Sequence, residues 1–338
     1  MSTASTAPKM DSNRSTSKLQ NPAQKTSFIY GTAWKKSETA RLVTEALAAG
    51  FTAIDTAAQP KHYQEPLVGE AVRSHINSGK CNRDQIYVQT KFTPPSGQDL
   101  SNMPYAVDDP LEAQIEASVS SSLQNFRTTE DGAKSGGAYI DCLLLHSPLR
   151  TMAETLQAWT FLEKNYLPHR VRRLGISNIS LPALKRLWEE STVKPAVVQN
   201  RFYAATEYDT KLRAFCRDKG IVYQSFWTLT GTPQLSRSEP VASLARAAGI
   251  SGPVALYSLV MSLDIVVLNG TTSAERMRED LEGVACVEAW AESNADDWAR
   301  LTAEFARIVE GKAVRWCGCI TCYQMAPLYM EDHIPPSP

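Results

Sequence analysis

Long apolar runs are missing from the sequence. The most apolar stretch, residues 254–268, is interrupted by Ser258, Ser262 and Asp264, whereas a helix that crosses a bilayer needs about 20 consecutive residues that are mostly apolar. An excess of charge is missing too, since 35 Lys and Arg residues face 36 Asp and Glu residues and leave a formal net charge of -1. We therefore predict neither a membrane span nor a nucleic-acid partner.

A disulfide framework is also missing. The sequence contains 7 cysteines scattered over 338 residues, an odd number that fits the reduced thiols of a cytoplasmic protein. Cys317, Cys319 and Cys322 lie close enough together to suggest a metal site. A closed zinc site needs four ligands, however, and no C-x-x-C pair elsewhere in the chain could complete it. We predict free thiols in a C-terminal tail and no metal.

Residues 1–27 contain hardly any large apolar side chain. They lack the apolar core of a signal peptide, and they cannot bury enough surface to offset the entropy lost on ordering. Four basic residues outnumber Asp11, as in a transit peptide, but no amphipathic periodicity accompanies them. A disordered tail is predicted.

From residue 28 onward, short apolar runs alternate with amphipathic patterns. The predicted strands span residues 28–30, 52–54, 86–90, 139–145, 173–176, 196–199, 221–226 and 265–268. The predicted helices span residues 37–49, 64–78, 111–126, 152–166, 181–190, 208–219, 253–261 and 274–281. Strands that read as continuous apolar runs, each followed by a helix, indicate a parallel sheet covered on both faces.

The fold class that this alternation predicts is α/β, with a (β/α)₈ TIM barrel over residues 28–285. An open doubly wound sheet is the alternative, but no G-x-G-x-x-G follows the first strand. In the C-terminal region, residues 286–338, apolar residues recur every three or four positions between 294 and 311. This pattern predicts a further helix that packs outside the barrel.

Polar residues collect at the C-terminal ends of the predicted strands. They are Asp55, Lys91, His146, Ser177 with Asn178, and Gln199 with Asn200, on strands two to six. Enzymes built on TIM barrels keep their chemistry at these ends. Asp55 and Tyr63 alone could equally be a capping aspartate and a packing tyrosine. Five polar endings on successive strands favour a functional site.

Taken together, these segments resemble the aldo-keto reductase superfamily, NAD(P)H-dependent carbonyl reductases on a TIM barrel. The matching segments are GFTAIDTA (50–57), Tyr63 followed by Glu65, VQTKF (88–92), YIDCLLLHSP (139–148), RRLGISN (172–178), VVQNRF (197–202), IVYQSF (221–226) and NGTTSAERMRED (269–280). Each segment is a weak signal alone, but their order and spacing are specific. The resemblance covers roughly residues 28–284.

The resemblance implies roles for individual residues. The catalytic tetrad would be Asp55, Tyr63, Lys91 and His146. Residues that would hold the nicotinamide end of NADPH are Ser177, Asn178, Gln199 and the stacking aromatic Phe226. Thr32 and Asp55 would also bind the cofactor. Residues that would grip the adenosine ribose phosphate are Gly270, Thr271, Thr272, Arg276, Glu279 and Asp280.

Carbonyl reduction by itself asks for these residue types. Hydride delivery to a carbonyl carbon builds negative charge on the oxygen, which must be protonated. A free phenol has a pKa near 10, so we expect the ammonium of Lys91, paired with Asp55, to lower the pKa of Tyr63. A proton donor held in position contributes roughly 10²–10⁴-fold, and His146 could orient the carbonyl oxygen.

The sequence departs from the family pattern at several positions. Tyr63 lies eight residues after Asp55, a longer gap than usual, and the neighbouring His62 competes for its assignment. Gly270 stands where many members carry a lysine, and Asp280 stands where an asparagine is usual. Residues 227–235 lack the familiar Ser-Pro-Leu, which leaves the contacts to the cofactor pyrophosphate undefined.

We predict an NADPH-dependent enzyme that reduces an aldehyde or ketone to an alcohol. Its partner would be a small carbonyl compound, and the chain would be a monomer or a weak homo-oligomer. Work in secondary metabolism is a further hypothesis, because the loops at residues 93–109 and 128–138 are long. A cofactor-binding regulatory subunit that senses redox state is the alternative, although a sensor need not keep all four tetrad residues.

Overall fold

Eight parallel strands form a closed barrel in this protein. They are β1 (Phe28–Gly31), β2 (Ala53–Asp55), β3 (Tyr87–Phe92), β4 (Cys142–Leu145), β5 (Leu174–Ser177), β6 (Val197–Arg201), β7 (Val222–Phe226) and β8 (Ile265–Asn269). Strands that are consecutive in sequence pair with each other, and β8 pairs with β1 to close the ring. The predicted TIM barrel is confirmed, and the open sheet is excluded.

The structure is a computed structural model that describes residues 27–128 and 138–311. Three predictions concern segments outside these ranges. They are the disordered N-terminal tail, the Gly-rich loop between residues 128 and 138, and the cysteine segment after residue 311. Those predictions stay predictions.

Eleven α-helices accompany the strands in the described ranges. They are α1 (Thr39–Ala49), α2 (Glu65–Asn77), α3 (Leu111–Asn125), α4 (Met152–Tyr166), α5 (Leu181–Glu190), α6 (Thr210–Lys219), α7 (Pro233–Ser236), α8 (Glu239–Ala248), α9 (Gly252–Met261), α10 (Ala274–Ser293) and α11 (Ala295–Val309). No single one of them is long and apolar enough to cross a bilayer, and α8 and α9 qualify only as a pair bent by 110°.

Two differences from the sequence analysis concern helices. The short helix α7 and the longer α8 were not predicted, and α10 extends past residue 281 because Gly283 and Val287 continue its buried face. It therefore runs through residue 285, where the sequence analysis ends the barrel; that division into domains stays a prediction. The helix predicted near residue 294 is α11, which packs against α8 and α10 outside the barrel.

Side chains that point into the barrel form layers, because successive residues of a strand face opposite sides. One apolar layer inside the barrel includes Ala53, Tyr87, Val197 and Val222. Two residues further along their strands lie Asp55, Gln89, Gln199 and Gln224, which are joined by hydrogen bonds. Another two residues along, the same strands place Lys91, Arg201 and Phe226 at the mouth. An apolar floor therefore supports a polar layer at the C-terminal end of the barrel.

Candidate active site

A buried ion pair joins β2 to β3 at the barrel mouth. The ammonium of Lys91 donates to Oδ2 of Asp55 at 2.6 Å and to the carbonyl oxygen of Thr56 at 2.8 Å. Both charged side chains are almost fully buried. Burial lowers the pKa of Lys91, and the negative charge of Asp55 opposes that shift. The pair therefore holds two charges where neither could persist alone.

The second carboxylate oxygen of Asp55 accepts hydrogen bonds from glutamines. Oδ1 accepts from Nε2 of Gln89 at 2.7 Å and from Nε2 of Gln199 at 3.0 Å. Gln224 accepts from both of these amide groups and donates to Oε1 of Gln89 at 3.0 Å. Both protons on Nε2 of Gln199 are thereby used, whereas its Oε1 accepts from no residue in the described ranges. A closed amide network thus fixes Asp55 and leaves one oxygen of Gln199 available.

The longer loop after β2 still brings Tyr63 to Lys91. A turn closes where the backbone N–H groups of His62 and Tyr63 donate to the carbonyl oxygen of Gln59, at 3.2 and 3.0 Å. The tyrosine ring centroid then lies 5.2 Å from Nζ of Lys91 and 6.0 Å from the ring centroid of His146. The extra residues are accommodated in the turn, so three side chains of the predicted tetrad surround one space.

The pKa of Tyr63 differs from our expectation. Burial raises it, and the negative charge of Asp55 raises it further. Burial and the charge of Asp55 outweigh any lowering of the pKa by the nearby ammonium of Lys91. The phenol therefore stays protonated at neutral pH, which is the state a proton donor needs.

His62 faces away from this group. Its ring stacks on Trp34, with 3.8 Å between the ring centroids, and its carbonyl oxygen accepts from the backbone N–H of Trp34 at 2.7 Å. The contact ties the loop after β1 to the loop after β2. Tyr63, rather than His62, has its ring directed towards Lys91 and His146.

Glu65 anchors the first turn of α2, two residues after Tyr63. Its buried carboxylate accepts from Thr90, from Ser122 at 3.0 Å and from Asn125 at 2.9 Å. Burial raises the pKa of Glu65, and these hydrogen bonds oppose the shift. Because Thr90 precedes Lys91 on β3, Glu65 fixes the position of Tyr63 relative to that strand.

His146 follows β4 and is held at both ends. Nδ1 of its ring shares a hydrogen bond of 2.6 Å with the hydroxyl of Thr93, and its carbonyl oxygen accepts from Nδ2 of Asn178 at 2.9 Å. Burial, and then the positive charge of Lys91, hold the pKa of His146 well below its usual range. A neutral imidazole whose Nδ1 accepts from Thr93 would keep Nε2–H as a hydrogen-bond donor.

The ends of β5, β6 and β7 carry the residues predicted at the nicotinamide end. The hydroxyl of Ser177 donates to the carbonyl oxygen of Gln199 at 2.6 Å and accepts from the side chain of Asn178 at 3.2 Å. Asn178 is exposed, and its φ of 53° lies in the left-handed region, which asparagine tolerates better than most residues. Phe226 is partly exposed at the end of β7. The structure brings these four residues to one side of the mouth.

Thr32 directly follows β1. It is fully buried, and its hydroxyl donates to the carbonyl oxygen of Asp55 at 3.0 Å. Its side chain therefore connects the C-terminal end of β1 to that of β2.

The segment after β8 leads into the N-terminus of α10. Asn269 accepts from the backbone N–H of Thr271 at 2.8 Å and donates to Oδ2 of Asp280 at 2.7 Å. Asp280 is buried, and burial raises its pKa. It therefore acts through Asn269, whereas Thr272, Arg276 and Glu279 are exposed.

Lys35 was not predicted at this site. It comes from the loop after β1, and its ammonium donates to the carbonyl oxygen of Gly270. The side chain is only 8% exposed, burial lowers its pKa, and no described carboxylate pairs with it. A cation therefore lies beside Gly270, where the sequence alone offers none.

The polar layer beneath the ion pair was also missed. Gln89 and Gln224 lie two residues before Lys91 and Phe226, and Thr93 lies two residues after Lys91. The alternation of side chains along a strand is the signal that could have found them. Within residues 27–128 and 138–311, no group of three His, Cys, Asp or Glu residues could hold a metal ion.

Comparison with known proteins adds to this geometry. A model of the aldo/keto reductase family matches residues 26–249. An NAD/NADP-dependent indole-3-acetaldehyde reductase of Schizosaccharomyces pombe is 27% identical over 247 residues, which cover 71% of this chain and 76% of that protein. A morphine 6-dehydrogenase of Pseudomonas putida is 26% identical over 260 residues, with 72% of this chain and 77% of that protein covered.

Solved structures are similar in fold. An aldo/keto reductase from Brucella melitensis has a TM-score of 0.58 at 23% identity and covers 79% of this chain, with 94% of its own length matched. A Bombyx mori aldo-keto reductase in complex with NADP has a TM-score of 0.60 at 20% identity, with 78% of this chain and 88% of that one covered.

Proposed function

We propose, since the chain belongs to the aldo/keto reductase family, that it reduces an aldehyde or ketone to the alcohol with NADPH. The observation that carries this proposal is the buried pair of Lys91 and Asp55, with Tyr63 and His146 beside it at the barrel mouth. The Schizosaccharomyces pombe relative, named as an NAD/NADP-dependent indole-3-acetaldehyde reductase, supports the proposal because its named activity belongs to the same class.

Tyr63 would protonate the carbonyl oxygen. Its pKa is raised, so the phenol carries a proton at neutral pH, and the Lys91 ammonium 5.2 Å from the ring would stabilise the phenolate left behind. The neutral ring of His146 would donate a hydrogen bond to the same oxygen and so orient the substrate. Bound NADPH would supply the hydride to the carbonyl carbon.

The residues on the other side of the mouth suit a nicotinamide dinucleotide. Oε1 of Gln199 is free to accept from the carboxamide nitrogen, because the amide network uses only the donors of Gln199. Asn178 and Ser177 offer further polar groups, and Phe226 offers a partly exposed ring for stacking.

A preference for NADPH over NADH needs positive charge near the 2′-phosphate. Arg276 is exposed in the first turn of α10, whose N-terminus itself favours anions. Lys35 adds a second cation beside Gly270. Because the ammonium of Lys35 pairs with no described carboxylate, a phosphate would find it uncompensated.

The test is an absorbance assay of NADPH oxidation with a panel of aldehydes and ketones. The Tyr63→Phe variant should still bind NADPH, while turnover falls by at least roughly 10²-fold because the positioned proton donor is lost. The His62→Ala variant is the matched control and should lose far less. If wild type binds NADPH but reduces nothing, the regulatory alternative gains; if only His62→Ala loses turnover, the tyrosine assignment is wrong.

A further inference from the structure

Arg201 stands at the barrel mouth. It is the last residue of β6, and its Nε is buried with no hydrogen-bond partner among the residues that the structure describes. No carboxylate in residues 27–128 and 138–311 forms an ion pair with it. A guanidinium has five N–H donors and stays charged at any physiological pH. Leaving such a group half-buried and unpaired is costly, so the guanidinium is suited to binding an anionic ligand.

Aromatic rings fix the orientation of this guanidinium. Its central carbon lies 4.0 Å from the ring centroid of Trp227, 5.4 Å from that of Tyr203 and 5.8 Å from that of Phe226. Rings occupy the faces of a stacked guanidinium, whereas its N–H donors radiate within the plane. The arrangement therefore leaves the donors for an oxyanion that can accept two parallel hydrogen bonds.

The strand register puts Arg201 beside the nicotinamide-stacking ring. Arg201 and Phe226 are paired residues of β6 and β7. Gln199 and Gln224, two residues earlier on each strand, are bonded to each other inside the barrel. Since side chains alternate, Arg201 lies in the mouth layer above Gln199, next to Phe226.

We propose that Arg201 binds the pyrophosphate of the nicotinamide cofactor. This inference rests on the proposed function. The residues assigned to the cofactor follow the strand order, with the nicotinamide end at β5 to β7 and the adenosine end after β8. The pyrophosphate joins those two ends, so it must cross the mouth beyond β7. Phosphate sites of TIM barrels commonly lie between the loops after strands seven and eight.

The loop after β7 is built to hold Trp227 in place. Thr228 is buried and hydrogen-bonds Ser225 at 2.8 Å, and Thr232 donates to the carbonyl oxygen of Thr228 at 2.6 Å. A Cβ at Gly231 would lie 2.8 Å from the carbonyl oxygen of Trp227, so only glycine fits there without movement. The backbone that carries the Trp227 ring, on which Arg201 stacks, is therefore held in one conformation, although the segment lacks the usual Ser-Pro-Leu.

A carboxylate on the substrate is the other source of an anion. It has the same chemistry, but Tyr63 and His146, which would hold the substrate carbonyl, follow β2 and β4. Arg201 belongs to β6, on the side where the cofactor residues collect. The geometry therefore favours the pyrophosphate, and the experiment separates the two sources.

The experiment measures dissociation constants of NADPH and NADH by isothermal titration calorimetry. The Arg201→Met substitution should raise the dissociation constants of both cofactors by about tenfold or more, because both contain the pyrophosphate. Arg201→Lys keeps the charge without the planar fork and should fall between wild type and Arg201→Met, which also keeps the test usable if the methionine variant folds poorly. Arg172→Met is the control at the opposite end of the barrel, where Arg172 stacks 3.7 Å from the ring centroid of Tyr139 and also pairs with Asp141.

Michaelis constants for para-carboxybenzaldehyde and the neutral para-nitrobenzaldehyde complete the design. Their ratio should be the same in wild type and Arg201→Met. Unchanged cofactor affinity in both Arg201 variants would overturn the proposal, as would a selective loss for the carboxylated aldehyde. Wild-type protein that binds neither cofactor would instead contradict the proposed function itself, which distinguishes the two failures.

Discussion

The two halves of the barrel mouth differ in whether their charged side chains have partners within the chain. On the side of β2 to β4, charged or titratable groups are engaged with one another or with hydroxyls, as in the pair of Lys91 with Asp55 and in His146 bonded to Thr93. On the side of β6 to β8 and the loop after β1, Arg201 and Lys35 lack a carboxylate partner within the described ranges. The first half is assembled by the chain alone, whereas the second offers two cations to the anionic cofactor proposed above. Substitutions should therefore affect folding in the first half and ligand affinity in the second.

The largest effect is expected on the side of β2 to β4, from breaking the ion pair of Lys91 with Asp55. Lys91→Met leaves the carboxylate of Asp55 buried without its cation, which should lower the free energy of unfolding by about 3–5 kcal/mol. Turnover should fall as well, because the ammonium beside Tyr63 is lost. Chemical denaturation monitored by circular dichroism measures the first effect.

Two controls sharpen that prediction. Arg186→Met breaks an ion pair of 2.6 Å with Glu190 on the surface of α5 and should cause no measurable loss. The double variant Asp55→Asn with Lys91→Met removes both charges and should be more stable than Lys91→Met alone. If the single and double variants are equally unstable, the loss comes from packing and not from an uncompensated charge.

A smaller effect, confined to affinity, is expected at Lys35. Lys35→Met should raise the dissociation constant of NADPH at least about tenfold, because one charge-assisted contact to the 2′-phosphate is worth about 1.5–3 kcal/mol. NADH lacks that phosphate and should bind almost as before. Arg276→Ala should give the same pattern, since its guanidinium is another cation and lies in the first turn of α10.

Gly270 allows a rescue of the Lys35 variant. Lys35 contacts Gly270, so adding Gly270→Lys to Lys35→Met places a new cation close to the lost one. The affinity for NADPH should then recover, whereas the affinity for NADH should stay unchanged. A Cβ at Gly270 would lie 3.9 Å from Nζ of Lys35, an ordinary contact, so the substitution fits. Equal losses for both cofactors in Lys35→Met would mean that Lys35 binds another part of the cofactor.

The sequence could predict the barrel because strand and helix patterns are local. Apolar runs and amphipathic periods identify all eight strands and most helices, and the polar residues at the strand ends identify Asp55, Lys91 and His146 as neighbours. Long-range contacts carry no such local pattern. Lys35 reaches Gly270 from a segment 235 residues away in sequence, and no periodicity links the two positions.

The alternation of side chains between the two faces of each strand also carries information about the layers inside the barrel. It could have indicated that Gln89, Gln199 and Gln224 share one inward layer below Lys91 and Phe226. It could not have given the pKa of Tyr63. That shift depends on how deeply the phenol is buried and on the nearby charge of Asp55, and only the folded geometry fixes both.

A third prediction concerns the pH dependence of stability that His146 contributes on the side of β2 to β4. The pKa of His146 is held below its ordinary value of 6.5, so the unfolded chain binds a proton there that the folded chain does not. Stability from this group is therefore complete above pH 6.5 and is lost as the pH falls below it. Relative to His146→Asn, wild type should lose up to about 1.4 kcal/mol per pH unit. Glu65 and His62 titrate in both proteins, so their contributions cancel in the difference. If the free energies of unfolding of the two proteins change in parallel with pH, the pKa of His146 is not lowered by folding.

The smallest effect is expected at the contact that connects the two halves. Trp34 precedes Lys35 and His62 precedes Tyr63, so the stacked rings, 3.8 Å apart, tie the cation of one half to the proton donor of the other. Trp34 is 58% exposed, and an aromatic pair contributes only about 0.5–1.5 kcal/mol beyond the area it buries.

We therefore expect Trp34→Ala to weaken NADPH binding and to slow turnover by only about two- to fivefold each. His62→Phe keeps the stacking and the backbone hydrogen bond, and should match wild type in both measurements. His62→Ala should resemble Trp34→Ala, and the double alanine variant should be no worse than either single one, because both remove the same contact. If the two alanine effects add, the rings do not act through each other, and the halves are coupled elsewhere or not at all.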